Sequence, residues 1–252
     1  MKRLDPAKPY CVIPARFAST RFPGKPLVPL LGKPMILWVA EACALAVGKN
    51  QVIVATEDHR ITDVVESAGF HSETTSPDAL TGTDRVAEVA AKIGGDTILN
   101  VQGDEPLVSP SDIRAIAAFH QKNPHWVINC YTEIGETEDP LRLTIPKVVL
   151  DQNEHLLYAS RAAIPASKKA TKMSGSTFLK QVCIYAFSAA QLAQFSQVRE
   201  KTPLERAEDI EILRFLEMGQ TVRMVRTEAT SVAVDEPRDV ADVEHLLVRS
   251  TF

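Results

Sequence analysis

Arg16, Arg21 and Lys25 place three cations within ten residues, interleaved with Ser19, Thr20 and Gly24. Charge and hydroxyls at that density suit a polyphosphate: arginines can fork onto its oxygens and the lysine serves as a point charge. Without further context the same residues read equally as a solvated basic turn. Two aspartates supply a complementary chemistry. Asp104 follows the apolar run Asp96 to Val101, and Asp235 follows Ser231 to Val234. Carboxylates fixed just beyond two buried strands can converge on one Mg²⁺ and leave its other positions to phosphate oxygens and water. Glu105 is the weaker neighbour.

For these side chains to meet, the chain must bring several strand ends together. Tyr10 to Ile13 is a short apolar run that breaks at Pro14 into the basic loop, which puts the cations where open α/β sheets take ligands, at the carboxyl ends of strands. The loop is not a dinucleotide fingerprint, because a single glycine stands where G-x-G-x-x-G is needed. Nor is it a Walker A loop, because Ser19 and Pro26 occupy the places of its first glycine and its hydroxyl. Apolar spacing predicts a helix over Pro34 to Val47 with Pro34 in its first turn, a strand over Gln51 to Thr56, a helix over Ile61 to Ala68 and a strand over Phe70 to Thr75. That order implies parallel strands joined by crossover helices.

Ser76 to Gly82 reads as a loop opening a helix over Thr83 to Ile93. Thr81, Thr83 or Asp84 caps this helix, and its first N–H groups either hold a polar ligand or are simply capped. A helix over Pro110 to Lys122 and a strand over Trp126 to Ile134 follow. Pro146 to Arg161 reads as a hairpin turning at Gln152 and Asn153, a departure from alternation that suggests a sheet extension or small subdomain within 125–190. Pro165 to Thr177 is small, polar and loop-like. Gln181 to Phe187 is a strand, Ser188 caps a helix through Phe195, and Glu205 to Met218 reads as one helix closed by Gly219. Thr221 to Thr227 and Ser231 to Val234 are the last strands, and Pro237 opens a final helix to about Val248.

The 252 residues are 45% hydrophobic and 24% charged, with a net charge of −4, which fits one ordinary soluble domain and argues against a nucleic-acid partner. No apolar run approaches the roughly 18 residues of a membrane span. The stretch MKRLDPAKPY has no apolar core after its charges, so no secretory signal is expected and the cytoplasm is the expected compartment. Cys11, Cys43, Cys130 and Cys183 lie far apart inside apolar runs, with no C-x-x-C pair, and read as buried small hydrophobes.

IPARFASTRFPGKPL, VQGDEPL, SRAAIP, TPLERAEDIEILRFLE and VAVDEPRDV occur in this order between Tyr10 and Val248. Together they resemble the sugar-acid cytidylyltransferases, in particular the 3-deoxy-manno-octulosonate (Kdo) cytidylyltransferases. The resemblance implies a three-layer α/β nucleotidyltransferase-type fold, with a mixed, mostly parallel sheet and a small hairpin subdomain serving the acceptor and a homodimer contact. It implies CMP transfer from CTP to the anomeric hydroxyl of a 2-keto sugar acid, with Mg²⁺ as cofactor. Pro14, Ala15, Arg16, Arg21, Lys25, Thr81, Gly82 and Asp104 would then meet the nucleotide. Asp104 and Asp235 would hold the metal and, with Arg16 and Lys25, carry the catalysis.

By the same resemblance Gln102, Arg161, Gln181, Tyr185, Glu211 and Ile212 line the acceptor pocket, the arginine facing the carboxylate and Tyr185 and Glu211 facing hydroxyls. Taken without it, Arg161 reads as a strand-end surface residue, Tyr185 as core, and Glu211 as one of several acids on an exposed helix face. Three positions depart from the family: Leu80 and Ile212 stand where it has glutamine, and Gln181 where it has histidine. Lost hydrogen-bonding groups change which hydroxyls a pocket accepts. The acceptor is therefore expected to be Kdo, 8-amino-Kdo or a related acid such as a nonulosonic acid, for lipopolysaccharide or capsule. The competing reading is a noncatalytic nucleotide-binding relative.

Overall fold

The computed structural model describes residues 4–18, 22–135, 138–166, 168, 178–227 and 232–250. Its first half alternates as expected: β1 (Tyr10–Pro14), a short ribbon of β2 (Pro29–Leu30) and β3 (Lys33–Pro34), α1 (Met35–Val47), β4 (Val52–Thr56), α2 (His59–Ser67), β5 (His71–Thr74), α3 (Gly82–Ile93), β6 (Ile98–Val101) and α4 (Pro110–Lys122). The second half continues through β7 (Val127–Glu133), β8 (Lys147–Leu150), β9 (Leu156–Ser160), β10 (Leu179–Phe187), α5 (Ala189–Gln197), α6 (Pro203–Glu208), α7 (Ile212–Glu217), β11 (Val222–Arg226) and α8 (Asp239–Ser250).

Nine strands form one sheet with the path β11-β7-β10-β6-β1-β4-β5, and β8 and β9 branch from it beside β10. Along the path β10 alone runs against its neighbours, and every other pairing is parallel. The hairpin β8–β9 thus extends the main sheet through β10. Strands covered on both faces read as continuous apolar runs, and β1 shows why. Tyr10 and Val12 enter one core with α3, α5 and α7, while Cys11 and Ile13 enter a second core with α1, α2 and α4. Sheet and two helical sides give the three expected layers. A third cluster fixes α8, whose Val243 and Leu247 pack on Leu30, Met35 and Val234. Among the described residues, no helix is long and apolar enough to cross a membrane.

Three expectations need correction. The segment from Glu205 to Met218 is two helices rather than one: α6 and α7 are separated at Asp209, which takes the left-handed conformation at φ 52°. The apolar spacing runs through the break, so periodicity does not reveal it. What stops the helix is remote: Arg161 takes the carbonyl of Glu208 at 2.5 Å and that of Asp209 at 2.9 Å. Second, residues 232–235 are irregular rather than a strand, held to the sheet edge by the Val234 N–H donating to the Asp104 carbonyl at 3.0 Å. Ser231 lies outside the described residues. Third, Pro34 caps α1 rather than entering its first turn, and α8 begins at Asp239 rather than Pro237. Asp239 accepts the N–H groups of Asp235 and Glu236 at 2.9 and 2.8 Å. Most of the Pro165 to Thr177 loop lies outside the described residues.

Candidate active site

A cleft of about 540 Å³ opens at the carboxyl ends of β1 and β6, facing the start of α3 and the break between α6 and α7. Its basic floor comes from the loop after β1. Ala15 is still tied to the sheet through the Ala55 carbonyl, and Phe17 then acts as a buckle. The Phe17 N–H donates to Glu57 Oε1 at 3.0 Å and its carbonyl accepts the Gly24 N–H at 2.9 Å. Arg60 lies 3.3 Å over its ring, and a Cβ on Gly24 would meet that ring at 3.1 Å. Gly24 also sits at φ 71°, so this turn requires glycine on two counts. Beyond Gly24, Lys25 lines the same cleft as Arg16.

Lys25 joins three segments. Its ammonium donates to Asp104 Oδ2 at 2.6 Å and to the Val234 carbonyl at 2.9 Å, beside Asp235. Asp104 and Asp235 both line the cleft. Two hard carboxylates brought to one wall suit Mg²⁺, and among the described residues no third His, Cys, Asp or Glu closes the group into an all-protein cage. The close approach is steric as well as polar, since a Cβ on Gly103 would stand 3.0 Å from the Pro14 carbonyl.

The start of α3 forms the opposite wall. Thr81 caps it by accepting the Asp84 N–H at 3.2 Å, and the Thr83 N–H donates to Glu211 Oε2 at 2.7 Å. Of the two alternatives for this helix start, the cap holds for two of its first N–H groups, which are already satisfied within the protein. Glu211 Oε1 also accepts Gln102 Nε2 at 2.7 Å, and burial raises the Glu211 pKa above the usual carboxylate value. One turn further along α7, fully buried Arg214 grips the same wall. It donates to both oxygens of Glu205 at 2.7 Å and to Asp84 at 2.8 and 3.2 Å, and it stacks 3.8 Å over Phe195.

The cleft gathers Pro14, Ala15, Arg16, Lys25, Thr81, Gly82, Gln102, Asp104, Arg161, Glu211 and Asp235, which are all the expected site residues but four. Arg21 lies outside the described residues. Gln181, Tyr185 and Ile212 are buried behind the wall: Gln181 donates to Asn129 Oδ1 at 2.8 Å and to the Tyr185 hydroxyl at 3.4 Å, and Ile212 belongs to the core. Of the three departures from the family pattern, only Leu80 faces the cleft. Arg161 does reach the wall, but Nε and both Nη atoms donate to backbone carbonyls, the third being Leu143 at 2.9 Å.

The motifs did not single out Glu57, Arg85, Lys201 or Asp209. Arg85 lines the cleft, bonds Thr75 Oγ1 at 2.7 Å and the Ser76 carbonyl at 2.9 Å, and pairs with Glu57 at 2.7 Å. Burial lowers its pKa and the nearby carboxylates oppose that shift. Glu57 carried a legible signal, since it follows β4 as an acid just beyond a buried strand. Lys201 and Asp209 carried none. They meet at 2.5 Å on the cleft rim, and the lysine holds the Asp209 pKa below the usual carboxylate value.

A cytidylyltransferase family model matches residues 10–224. The chain is 41% identical to the 3-deoxy-manno-octulosonate cytidylyltransferase of Syntrophotalea carbinolica, over 92% of this chain and 96% of the relative. It is 36% identical to the 8-amino-3,8-dideoxy-manno-octulosonate cytidylyltransferase of Shewanella putrefaciens, over 95% of this chain and 98% of the relative. A solved structure of CMP:2-keto-3-deoxy-manno-octonic acid synthetase complexed with CTP superposes with a TM-score of 0.86 at 35% identity, covering 96% of this chain and 99% of that one.

Proposed function

The chain belongs to the cytidylyltransferase family, and from that premise we propose that it transfers CMP from CTP to the anomeric hydroxyl of 3-deoxy-manno-octulosonate, releasing pyrophosphate. The product is the activated sugar for lipopolysaccharide. The observation that carries this reading is the junction at Lys25, which ties the basic loop, Asp104 and the segment bearing Asp235 into one wall. Attack on the α-phosphorus builds negative charge on the departing pyrophosphate. Arg16 and Lys25 stand where they can neutralise it, so positioning and fixed charge supply most of the acceleration. Asp104 and Asp235 would hold Mg²⁺, which when bound neutralises phosphate charge and makes the acceptor hydroxyl more acidic. Glu211, oriented through Thr83 and Gln102, offers its remaining lone pairs to acceptor hydroxyls.

The protein works in the cytoplasm as a homodimer, with residues 125–190 as the smaller acceptor and dimer region of a single domain. The dimer is supported by β9 at the sheet margin and by Leu141, Leu143 and Leu157, exposed at 71%, 67% and 60%. The test of function is Mg²⁺-dependent pyrophosphate release from CTP with Kdo, 8-amino-Kdo and no acceptor in parallel. Release with Kdo supports the proposal. Release only with 8-amino-Kdo would favour the second reading, which the 36% identical relative and Leu80 on the cleft wall motivate. No release with either would leave a noncatalytic nucleotide-binding protein.

A further inference from the structure

An acidic acceptor must have its charge met inside a cleft that already contains the acids Asp104, Asp209, Glu211 and Asp235. The cation that the motifs offer for this is largely spent. Arg161 donates three of its five N–H groups to the carbonyls of Leu143, Glu208 and Asp209, where it holds the helix break and the neighbouring loop in shape. Arg16 and Lys25, both in the cleft, are assigned to the triphosphate, Lys25 being held there by Asp104 and Val234, and Arg85 serves Glu57, Thr75 and Ser76. Lys201 differs from these. It lines the same wall, and among the described residues its ammonium donates to Asp209 Oδ1 alone, one of its three protons.

We propose that Lys201 is a specificity-determining residue that reads the carboxylate of the sugar-acid acceptor, with Asp209 holding its ammonium over the cleft. The geometry is built for that. Asp209 projects from the left-handed residue that separates α6 from α7, and Arg161 fixes the same residue through its carbonyl. A flexible lysine is thus anchored at its tip to a rigid corner, which reduces the ordering cost of binding an anion. Arg161 is then a positioning residue that acts through the corner on which Lys201 rests. The inference rests on the proposed acceptor class.

The test is steady-state pyrophosphate release by wild type, Lys201→Met and Lys201→Arg, with Kdo and with its uncharged C1 carboxamide, each at saturating CTP. One charge-assisted hydrogen bond is at stake, so Lys201→Met should raise KM for Kdo about 10-fold while leaving the carboxamide and KM for CTP near wild type. Lys201→Arg, which keeps the charge, should restore most of the loss. Equal losses on acid and amide, or a rise confined to KM for CTP, would overturn the role. Wild type inactive with both Kdo and 8-amino-Kdo would refute the acceptor class and this role together, whereas active wild type with an unchanged Lys201→Met would refute the role of Lys201 alone.

Discussion

The two walls of the cleft are built on different principles. On the side proposed for the nucleotide, Ala15, Arg16 and Asp104 sit one to three residues beyond the ends of β1 and β6, so neighbouring strands in register carry them to one edge. On the side proposed for the acceptor, Arg161, Lys201, Asp209 and Glu211 come from a hairpin end, an interhelical loop and a helix break, and hydrogen bonds spanning many residues, such as Thr83 to Glu211 and Arg161 to Glu208, help bring them together. A strand end is positioned by backbone pairing that any apolar sequence of the right pattern supplies. A broken helix is positioned by particular side chains, and losing one of them moves the wall.

The largest effect expected from that difference is on stability. Arg214→Met leaves Glu205 and Asp84 without their common partner in the interior, and removing one member of such a cluster costs about 3–5 kcal/mol. Thermal unfolding should show a lowered Tm. An unchanged Tm would mean that the acceptor wall does not depend on this cluster. On the nucleotide wall the larger cost should fall on chemistry: Lys25→Met should lower kcat by roughly 100- to 1,000-fold, the range for losing one preorganised group that meets transition-state charge, with Tm falling less than in Arg214→Met although Lys25 also ties Asp104 to Val234. A comparable loss of Tm would erase the contrast between the walls.

Arg161→Lys should come next, below both of these. It keeps the charge but cannot reach three carbonyls at once, and kcat/KM for the acceptor should fall about 10-fold, roughly one lost charge-assisted bond, with KM for CTP unchanged. Acidity offers a finer probe. Burial raises the Glu211 pKa in the folded chain, so wild type carries a stability contribution present at low pH and lost as pH rises through that raised value. Glu211→Gln lacks the titration, so its Tm relative to wild type should improve as pH is raised across this window. A difference independent of pH would show that the Glu211 pKa is not raised in the folded chain. Leu80→Gln is expected to act least on stability, within about 0.5 kcal/mol, because Leu80 is exposed at 39%. Its readout is the ratio of Kdo to 8-amino-Kdo turnover, and no change in that ratio would make Leu80 neutral drift.

Much of this was present in residue order. Alternating apolar runs and helical spacing gave the main strands and helices through Lys122, though not the short ribbon at Pro29 to Pro34, because a strand buried on both faces and a helix packed on one leave periodic traces in the chain. Acids and cations just past those runs marked the nucleotide wall, and Glu57 obeys the same rule. On the proposed acceptor wall, the family resemblance names Gln102, Arg161 and Glu211, and the tertiary structure decided how they are held there. The pattern from Glu205 to Met218 is helical throughout, yet Arg161, more than 40 residues away in the chain, captures the carbonyls of Glu208 and Asp209 and turns the chain at Asp209. The same distance effect separates Leu80, on the cleft, from Gln181 and Ile212, beneath it. Local sequence encodes backbone periodicity, whereas a side chain that satisfies backbone groups from a distant segment leaves no mark on the period of the segment it breaks.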